Sequence, residues 1–188
     1  MEMSRKKINS QRLVLCGLFA ALVAVGAFIR IPLPLIPFTL QTFFVTMAGY
    51  LLGARYGGMS VALYVALGLF GLPIFTQGGG PGYVLNPTFG YLIGFIVEAY
   101  VVGKLTAGRE LPSVKRLLGA GFAGLAVAYL LGGVYCYFIT NMVLGIENSV
   151  WAVFLSGCVL VFPGNAALNV VAALAARRIL PRMPDFDR

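Results

Sequence analysis

The chain contains 188 residues, 60% of them hydrophobic, with 14 Lys and Arg against 6 Asp and Glu. A soluble domain is only about 45–50% apolar, so this composition excludes an ordinary soluble protein and indicates a membrane protein. A bilayer core about 30 Å thick takes about 20 helical residues per span, which leaves room for about six spans. The net charge of +8 suggests nucleic acid or an acidic partner at first, but the distribution of the cations supports a different explanation.

We predict an all-α integral membrane protein, with one membrane domain over residues 1–188 and six transmembrane helices. The approximate spans are 13–29, 40–52, 59–72, 88–102, 117–142 and 150–179. With six spans, thirteen of the 14 cations fall on one side of the membrane and only Arg30 falls on the other. Cytoplasmic loops carry an excess of Lys and Arg, so this asymmetry places both termini in the cytoplasm and leaves no nucleic-acid partner to explain the charge.

Small residues are frequent in the first span, where Ala20 and Ala24 lie one helical turn apart. Between helices in lipid there is no hydrophobic driving force, so small residues at this spacing mark the close approach of another helix. Two interpretations stay open, namely packing within this protein and docking onto a separate membrane partner.

Prolines at positions 32, 34 and 37 forbid a regular helix over 30–38 and predict an extended or turning segment on the outer side. A tight turn over 53–58 joins the second and third spans. A second irregular apolar segment, 75–87, falls on the same face as 30–38. We therefore expect these two segments to form a pair of lids over a cavity.

The stretch FTQGGGPGYVLNPTFGYLIGF at 75–95 contains no charged residue. Its glycines permit tight turns and close backbone approach, and Pro81 and Pro87 prevent a simple helix before residue 88. We expect a shaped loop that delivers Asn86 to the start of the fourth span. The alternative is a well-formed turn between helices with no ligand. A phosphate-binding loop is disfavoured, because the GK[ST] ending is absent and no basic residue lies within the stretch.

Polar residues inside the later spans are the remaining candidates for function. A carboxyl group inside a span is costly, so Glu98 indicates either a function or a neutral acid bonded to a carbonyl group or a tyrosine. In the sixth span, Pro163–Gly164 predicts a kink, beyond which Asn165 and Asn169 share one face. These two amides serve either a ligand or an interhelical contact.

Missing residue types exclude several chemistries. The chain has no histidine, and its only aspartates are Asp185 and Asp187 in the polar tail. Ser-His and paired-aspartate proteolysis and His-based metal sites are therefore excluded. The three cysteines fall inside predicted spans and imply no disulfide or metal framework. No nucleotide motif is present, so we expect no enzyme, no metal and no cofactor, and any active transport must be powered elsewhere.

The central block IPFTLQTFFVTMAGYLLGARYGGMSVALYVALGLFGLPIFTQGGGPGYVLNPTFGYLIGF resembles that of the BioY family. These are the biotin-specific substrate-binding (S) components of energy-coupling-factor (ECF) vitamin transporters, and the resemblance covers nearly the whole chain. It implies the ECF S-component fold in a bacterial cell membrane and an outward-facing vitamin site. It also implies docking through Ala20 and Ala24 onto a transmembrane scaffold subunit, which carries two cytoplasmic ATPase subunits.

The resemblance carries Asn86 over as a ligand contact. The family's sixth helix reads Pro-Gly-Asp with a lysine three residues later, and this chain keeps Pro163 and Gly164. Asn165 replaces the aspartate, however, and Leu168 stands at the lysine position. Loss of both charges keeps the site neutral but removes two strong polar contacts. The ligand is therefore either biotin, bound through neutral amides and tyrosines, or a related molecule such as lipoate.

We predict a high-affinity binding subunit for the uptake of a small carboxylated vitamin, with biotin first and lipoate as the alternative. A non-transporting membrane assembly protein is the second class of function. The expected site is a largely apolar cavity whose polar contacts are Asn86, Tyr83, Tyr91, Gln77, Asn165 and Asn169. Arg30 is expected either to meet the ligand carboxylate from the outer loop or to anchor the chain at the interface.

Overall fold

The computed structural model describes residues 2–33, 36–108 and 111–183, with side chains from residue 10 onward. Within these ranges the chain is mostly helical, and its helices are α1 (Glu2–Phe28), α2 (Gln41–Leu69), α3 (Phe89–Thr106), α4 (Val114–Phe138), α5 (Val150–Phe154) and α6 (Phe162–Ile179). Two short strands, β1 (Arg30–Ile31) and β2 (Phe38–Thr39), form an antiparallel hairpin. Pro34, Asp185 and Asp187, which the sequence singled out, lie outside the described residues.

Short irregular helical turns occur at the ends of several helices. Helix α4 continues as a π-helical turn over Ile139–Val143, and α5 does so over Leu155–Val159. A 3-10 turn over Pro81–Leu85 precedes α3, and another over Leu180–Arg182 follows α6. A wide π turn shifts the helical register, so α4 and α5 are locally distorted where they face each other.

Helix α2 is two antiparallel arms that meet at Gly53. The backbone of Gly53 has φ 75° and ψ −179°, a conformation that residues with a side chain rarely adopt. The arms then pack closely, because a Cβ atom at Gly57 would lie 2.9 Å from the carbonyl oxygen of Ala48. The turn that the sequence predicted, over 53–58, is longer than the observed one. The helix resumes at residue 54, so a single glycine makes the turn.

Helix α3 lies between α2 and α4 and packs against both through small residues. A Cβ atom at Gly49 of α2 would lie 2.7 Å from the Ala99 carbonyl oxygen, and one at Gly94 would lie 2.9 Å from the Ala128 backbone. Close backbone approach of this kind is how helices associate in lipid. The small residues of this chain are therefore explained in large part by its own helix contacts.

In the described part of the chain, four helical segments are long and apolar enough to cross a membrane, namely Ser10–Phe28, Phe89–Thr106, Val114–Val143 and Val150–Arg182. Each arm of α2 is shorter than the roughly 20 residues of a full span. The membrane character predicted from composition is therefore confirmed. The six-span count, the side on which the termini lie and the single-domain assignment stay predictions.

The two irregular segments meet at one end of the bundle, called here the loop end and formed by residues 30–33, 36–39 and 75–88. In the first segment, Arg30 pairs with Thr39 across the hairpin, and the Arg30 guanidinium donates to the Thr76 carbonyl of the second. The Phe75 N–H donates to the Gly78 carbonyl at 2.8 Å. The two segments are thus tied to each other and internally paired, as backbone near a membrane must be.

Glu98 of α3 is fully buried against α2. The Thr46 hydroxyl oxygen lies 2.8 Å from Glu98 Oε1 and 2.8 Å from the carbonyl oxygen of Thr42. A hydroxyl group has one proton and a carbonyl oxygen only accepts, so both contacts are satisfied together only when Glu98 is protonated and donates to Thr46. This arrangement agrees with a neutral acid, one of the two interpretations of the sequence, but the partner is the Thr46 hydroxyl and not the carbonyl group or tyrosine that we expected.

Replacement of Glu98 tests this contact between α2 and α3. We expect Glu98→Ala to lower the free energy of unfolding by about 2–4 kcal/mol, because it leaves a cavity and removes the buried hydrogen bond between Glu98 and Thr46. Glu98→Gln keeps the volume and a hydrogen-bond donor, so it is the matched control and should stay within about 1 kcal/mol of the parent. Thermal unfolding in detergent, followed by circular dichroism, measures both. Equal losses of stability in the two variants would contradict this description.

Candidate functional site

A small cavity lies at the loop end, between the hairpin, the 75–88 loop and the beginnings of three helices. Its volume is ≈ 40 Å³, and no charged residue is among the described residues that line it. The polar lining groups are Thr39, Gln41, Thr42, Thr76, Tyr83, Thr88, Tyr91, Tyr129 and Asn165, and the apolar ones are Ile36, Pro37, Leu92, Phe95 and Val161. This mixture of apolar walls and a few convergent neutral groups is typical of a small-molecule site.

Three helices begin at this cavity. The first residues of α2, Gln41 and Thr42, line it, as do Thr88 and Tyr91 at the start of α3 and Asn165 in the first turn of α6. The starts of the three helices lie together because the Gly53 turn folds α2 back and the two loops return the chain to the same end of the bundle. The cavity is thus assembled from segments that are far apart in sequence.

Asn165 is 5% exposed and has one half of its amide unpaired. Its Nδ2 donates to the Tyr129 hydroxyl at 2.9 Å, whereas Oδ1 has no partner among the described residues. A buried polar atom left unpaired costs free energy, and native proteins rarely keep one without a purpose. The free half of the Asn165 amide is therefore the strongest indication that the cavity accepts a polar ligand.

Gln41 is a lining residue that the sequence analysis missed. It is 2% exposed, its Nε2 donates to the Tyr64 hydroxyl at 2.8 Å, and Tyr64 in turn donates to the Ile74 carbonyl at 3.1 Å. Gln41 therefore connects the cavity to the chain that leads into the 75–88 loop. Its position just after a proline-rich segment and before an apolar run was the only signal of its role.

Tyr83 and Tyr91, two of the expected site residues, line the cavity. The Tyr83 hydroxyl lies 3.0 Å from the hydroxyls of both Thr76 and Thr88, so it joins the two ends of the loop. The Tyr91 hydroxyl donates to the Gly157 carbonyl at 3.2 Å and connects α3 to the π turn after α5. Both rings therefore shape the walls through their own hydrogen bonds.

Asn86 and Gln77 lie behind the cavity wall and do not line it. Asn86 Oδ1 accepts from the Thr88 N–H at 3.0 Å and from the Thr88 hydroxyl at 2.8 Å. Asn86 Nδ2 donates to Gln77 Oε1 at 2.8 Å, and Gln77 is exposed. In this arrangement Asn86 positions Thr88, which does line the cavity.

Asn169 and Arg30 also lie away from the cavity lining. Asn169 is one helical turn farther along α6 than Asn165, where its Oδ1 lies 3.2 Å from the Tyr50 hydroxyl and its Nδ2 donates to the Leu118 carbonyl at 3.3 Å. It serves an interhelical contact, one of the two roles that the sequence left open. Arg30 is exposed and is engaged with Thr76.

A second and larger space lies between α4 and α5, with a volume of ≈ 520 Å³. Apart from Tyr129 and Tyr137, its walls are aliphatic, phenylalanine, glycine and cysteine side chains, and several of them are exposed at the side of the bundle. It offers almost no hydrogen bonding to a polar ligand. Tyr129 lines both spaces and separates the cavity from this groove.

The small residues of α1 divide between two faces. Ala20 is 4% exposed and belongs to the hydrophobic core, and Ala24 packs against the same core. Gly17 and Ala21 are exposed on the adjacent side of the helix, and nothing lies within 4 Å of a Cβ atom placed at Gly17. The outward small residues are therefore Gly17 and Ala21, which repeat the same four-residue spacing.

Comparison with known proteins identifies relatives along the whole chain. Over 174 residues it is 47% identical to the "Probable biotin transporter BioY" of Lysinibacillus sphaericus, covering 93% of this chain and 89% of the relative. It is 35% identical over 181 residues to the "Biotin transporter BioY" of Rhodobacter capsulatus, covering 93% and 95% of the two chains. The "Biotin transporter BioY" of Thermotoga maritima is 48% identical over 123 residues, 65% of this chain and 72% of the relative.

A solved structure shares the fold. It is described as the S-component for biotin from an ECF-type ABC transporter, and it superposes with a TM-score of 0.80 over 96% of each chain, at 25% sequence identity. The family model described as BioY family matches residues 3–185. The resemblance predicted from the central block is confirmed, and the chain belongs to the BioY family.

Proposed function

We propose that this chain is the substrate-binding subunit of a biotin uptake system and that the cavity at the loop end is its vitamin site. The observation that carries the proposal is the buried, half-paired amide of Asn165 in a cavity with convergent neutral polar groups. Biotin offers a ureido group, which both donates and accepts hydrogen bonds, on an otherwise apolar ring system. The chain is a transport component and not an enzyme, as its family membership implies.

The proposed site includes both the lining residues and the residues that hold them. Tyr83, Tyr91 and Asn165 contact the ligand directly, while Asn86 and Gln77 keep Thr88 and the loop in position. Asn169 holds α6 against α2 and α4 through Tyr50 and Leu118, and Arg30 holds the hairpin against the loop. The cavity of ≈ 40 Å³ is far below the roughly 300 Å³ of a typical ligand pocket. Entry of the vitamin therefore requires the two loop segments to separate.

We propose six spans in a bacterial cell membrane, with the two arms of α2 as the second and third spans and both termini in the cytoplasm. The reversal at Gly53 supports this count, because it turns the chain back after the first arm. Arg177 and Arg178 in the last turn of α6 support a cytoplasmic C-terminus. The loop end then faces outward, where an imported vitamin arrives.

Lipoate is the alternative ligand. Asn165 and Leu168 stand where the family resemblance leads us to expect an aspartate and a lysine, and no charged residue lines the cavity among those described. Lipoate has a ring and a fatty carboxylate but no ureido group, so it needs fewer polar partners. A direct comparison of the two ligands decides between them.

We propose that separate subunits power transport, namely a transmembrane scaffold and two ATPases. The scaffold docks on α1 at the small-residue surface that the sequence assigned to Ala20 and Ala24. Since Ala20 is buried, the outward Gly17 and Ala21 are the positions where another helix could approach this surface. A non-transporting assembly protein would use the same surface but would bind no vitamin.

Substitution of Asn165 tests the vitamin site. We expect Asn165→Ala to weaken biotin binding at least about tenfold, because it removes a buried hydrogen bond of about 1.5 kcal/mol or more. Asn86→Ala should weaken it less, because Asn86 acts through Thr88. Calorimetric titration of biotin and of lipoate into the purified protein measures both, with Asn148→Ala in the α4–α5 connection as the control. Unchanged affinity in both Asn86→Ala and Asn165→Ala would refute the site, and no binding by the parent would favour the assembly protein.

Bulky residues on α1 test the docking surface. We expect Gly17→Leu and Ala21→Leu to abolish biotin uptake by cells while the purified variants bind biotin as the parent does, since the side chains block the approach of another helix. Gly119→Leu is the matched control, because Gly119 of α4 is also exposed with open space at its Cβ position. Radiolabelled uptake and calorimetry give the two readouts. Normal uptake in both α1 variants would argue against docking at this surface.

A further inference from the structure

We propose that the cavity selects a ligand that carries N–H groups, and that Gln41 accepts one of them in an orientation that Tyr64 holds. This inference rests on the proposed function, because it names the part of the vitamin that the cavity recognises. A ureido group has two N–H groups and lipoate has none, so the inference favours biotin over the alternative ligand.

Tyr64 fixes which way the Gln41 amide points. The Tyr64 hydroxyl oxygen lies 3.1 Å from the Ile74 carbonyl oxygen and 2.8 Å from Gln41 Nε2. A hydroxyl group has one proton and a carbonyl oxygen only accepts, so Tyr64 donates to Ile74 and accepts from the Gln41 amide. Partners of this kind decide the orientation of an amide. The nitrogen half of the Gln41 amide therefore faces Tyr64.

The oxygen half of the Gln41 amide lies on the side of the cavity lining. Tyr64 is fully buried and is not among the described residues that line the cavity, whereas Thr39, which contacts Gln41 Oε1, does line it. The Thr39 hydroxyl reaches Gln41 Oε1 at 3.3 Å, which is longer than the usual distance of about 2.8 Å for such a bond. An amide oxygen accepts two hydrogen bonds. Gln41 Oε1 therefore has one weak partner and the capacity to accept a ligand N–H.

Hydroxyl groups around the cavity give their protons to the protein. Asn86 Oδ1 only accepts, so the Thr88 hydroxyl donates to it at 2.8 Å. The two neighbouring contacts of 3.0 Å then run in one direction, from Thr76 to Tyr83 and from Tyr83 to Thr88. Tyr91 donates to a backbone carbonyl in the π turn after α5. These four lining hydroxyls therefore offer lone pairs and no proton to a ligand.

The lining as a whole is rich in acceptors. The Thr39 hydroxyl also donates within the protein, to Gln41. The lining hydroxyls of Thr42 and Tyr129 are the exceptions, because neither donates to a described residue. Such a lining fits a cyclic urea, which brings two N–H groups for the acceptors and one oxygen for the remaining hydroxyl protons. Lipoate brings a carbon and sulfur ring and a carboxylate that only accepts, so it would leave the acceptors unpaired.

The test compares biotin with its two mono-N-methyl derivatives, in each of which a methyl group replaces one ureido N–H. Calorimetric titration of the full chain in detergent gives the affinities. We expect biotin to bind at least about tenfold more tightly than one of the derivatives, because the lost N–H leaves a buried acceptor unpaired. In Gln41→Leu, biotin should bind at least about tenfold more weakly than to the parent, and its preference over that derivative should fall within about threefold, because the accepting oxygen is gone. An unchanged preference in Gln41→Leu would overturn the inference.

Tyr64→Phe tests the positioning role. It removes the hydroxyl that orients Gln41, so the preference should fall as in Gln41→Leu although Tyr64 does not line the cavity. Tyr50→Phe is the matched control, because Tyr50 is a similarly buried tyrosine of α2 whose hydroxyl donates to the Leu117 carbonyl at 2.6 Å, away from the cavity. It should keep the preference, and an equal loss in both tyrosine variants would overturn the role of Tyr64. Thermal unfolding in detergent checks that each variant folds, and Gln41→Leu decides the inference if Tyr64→Phe does not.

Measurements on the unaltered chain separate the two proposals. Equal binding of biotin and both derivatives would overturn the inference and leave the vitamin site standing, and so would binding of lipoate alone. Failure of both biotin and lipoate to bind would overturn the proposed function itself, and the inference with it.

Discussion

The structure depends on one constraint, namely that polar backbone groups buried at a membrane must find their partners inside the protein. The loop end satisfies this constraint without long helices or strands. The hairpin pairs Arg30 with Thr39, the Gly80 N–H donates to the Gly68 carbonyl at 2.7 Å, and Asn86 closes the start of α3. Because these contacts pair the polar groups of the irregular backbone, a cavity can form at the loop end. The Arg30 guanidinium, which donates to the Thr76 carbonyl, holds the two loop segments together.

The constraint also explains why the interior contains polar groups but no ion pair among the described residues. Glu98 bonds to Thr46, and Asn169 bonds to Tyr50, each across a helix contact. Glycines make room for them, since a Cβ atom at Gly121 would overlap Asn169, and one at Gly124 would lie 2.9 Å from Glu98 Cγ. Each of these groups connects two helices, and Glu98 Oε2 has no partner among the described residues. Asn165 differs because it lines the cavity, and its Oδ1 has no partner among the described residues.

This difference separates supporting residues from binding residues. Asn86 was carried over from the family resemblance as a ligand contact, and here its amide holds Thr88 and Gln77. Gln41 was not singled out, yet it lines the cavity and bonds to Tyr64.

The sequence by itself determined that this is a helical membrane protein of the BioY family, because apolar composition, proline and glycine positions and a long shared block are local properties. It also indicated Tyr83, Tyr91 and Asn165 as residues near one another. Only the tertiary structure decided that Gly53 alone makes the turn, that Ala20 faces inward while Gly17 faces outward, and that Gln41 and Thr42 meet Asn165. These features depend on which helices pack together and on the rotation of each helix, and no local pattern specifies the partner of a small or polar residue in a chain that is apolar on nearly every face.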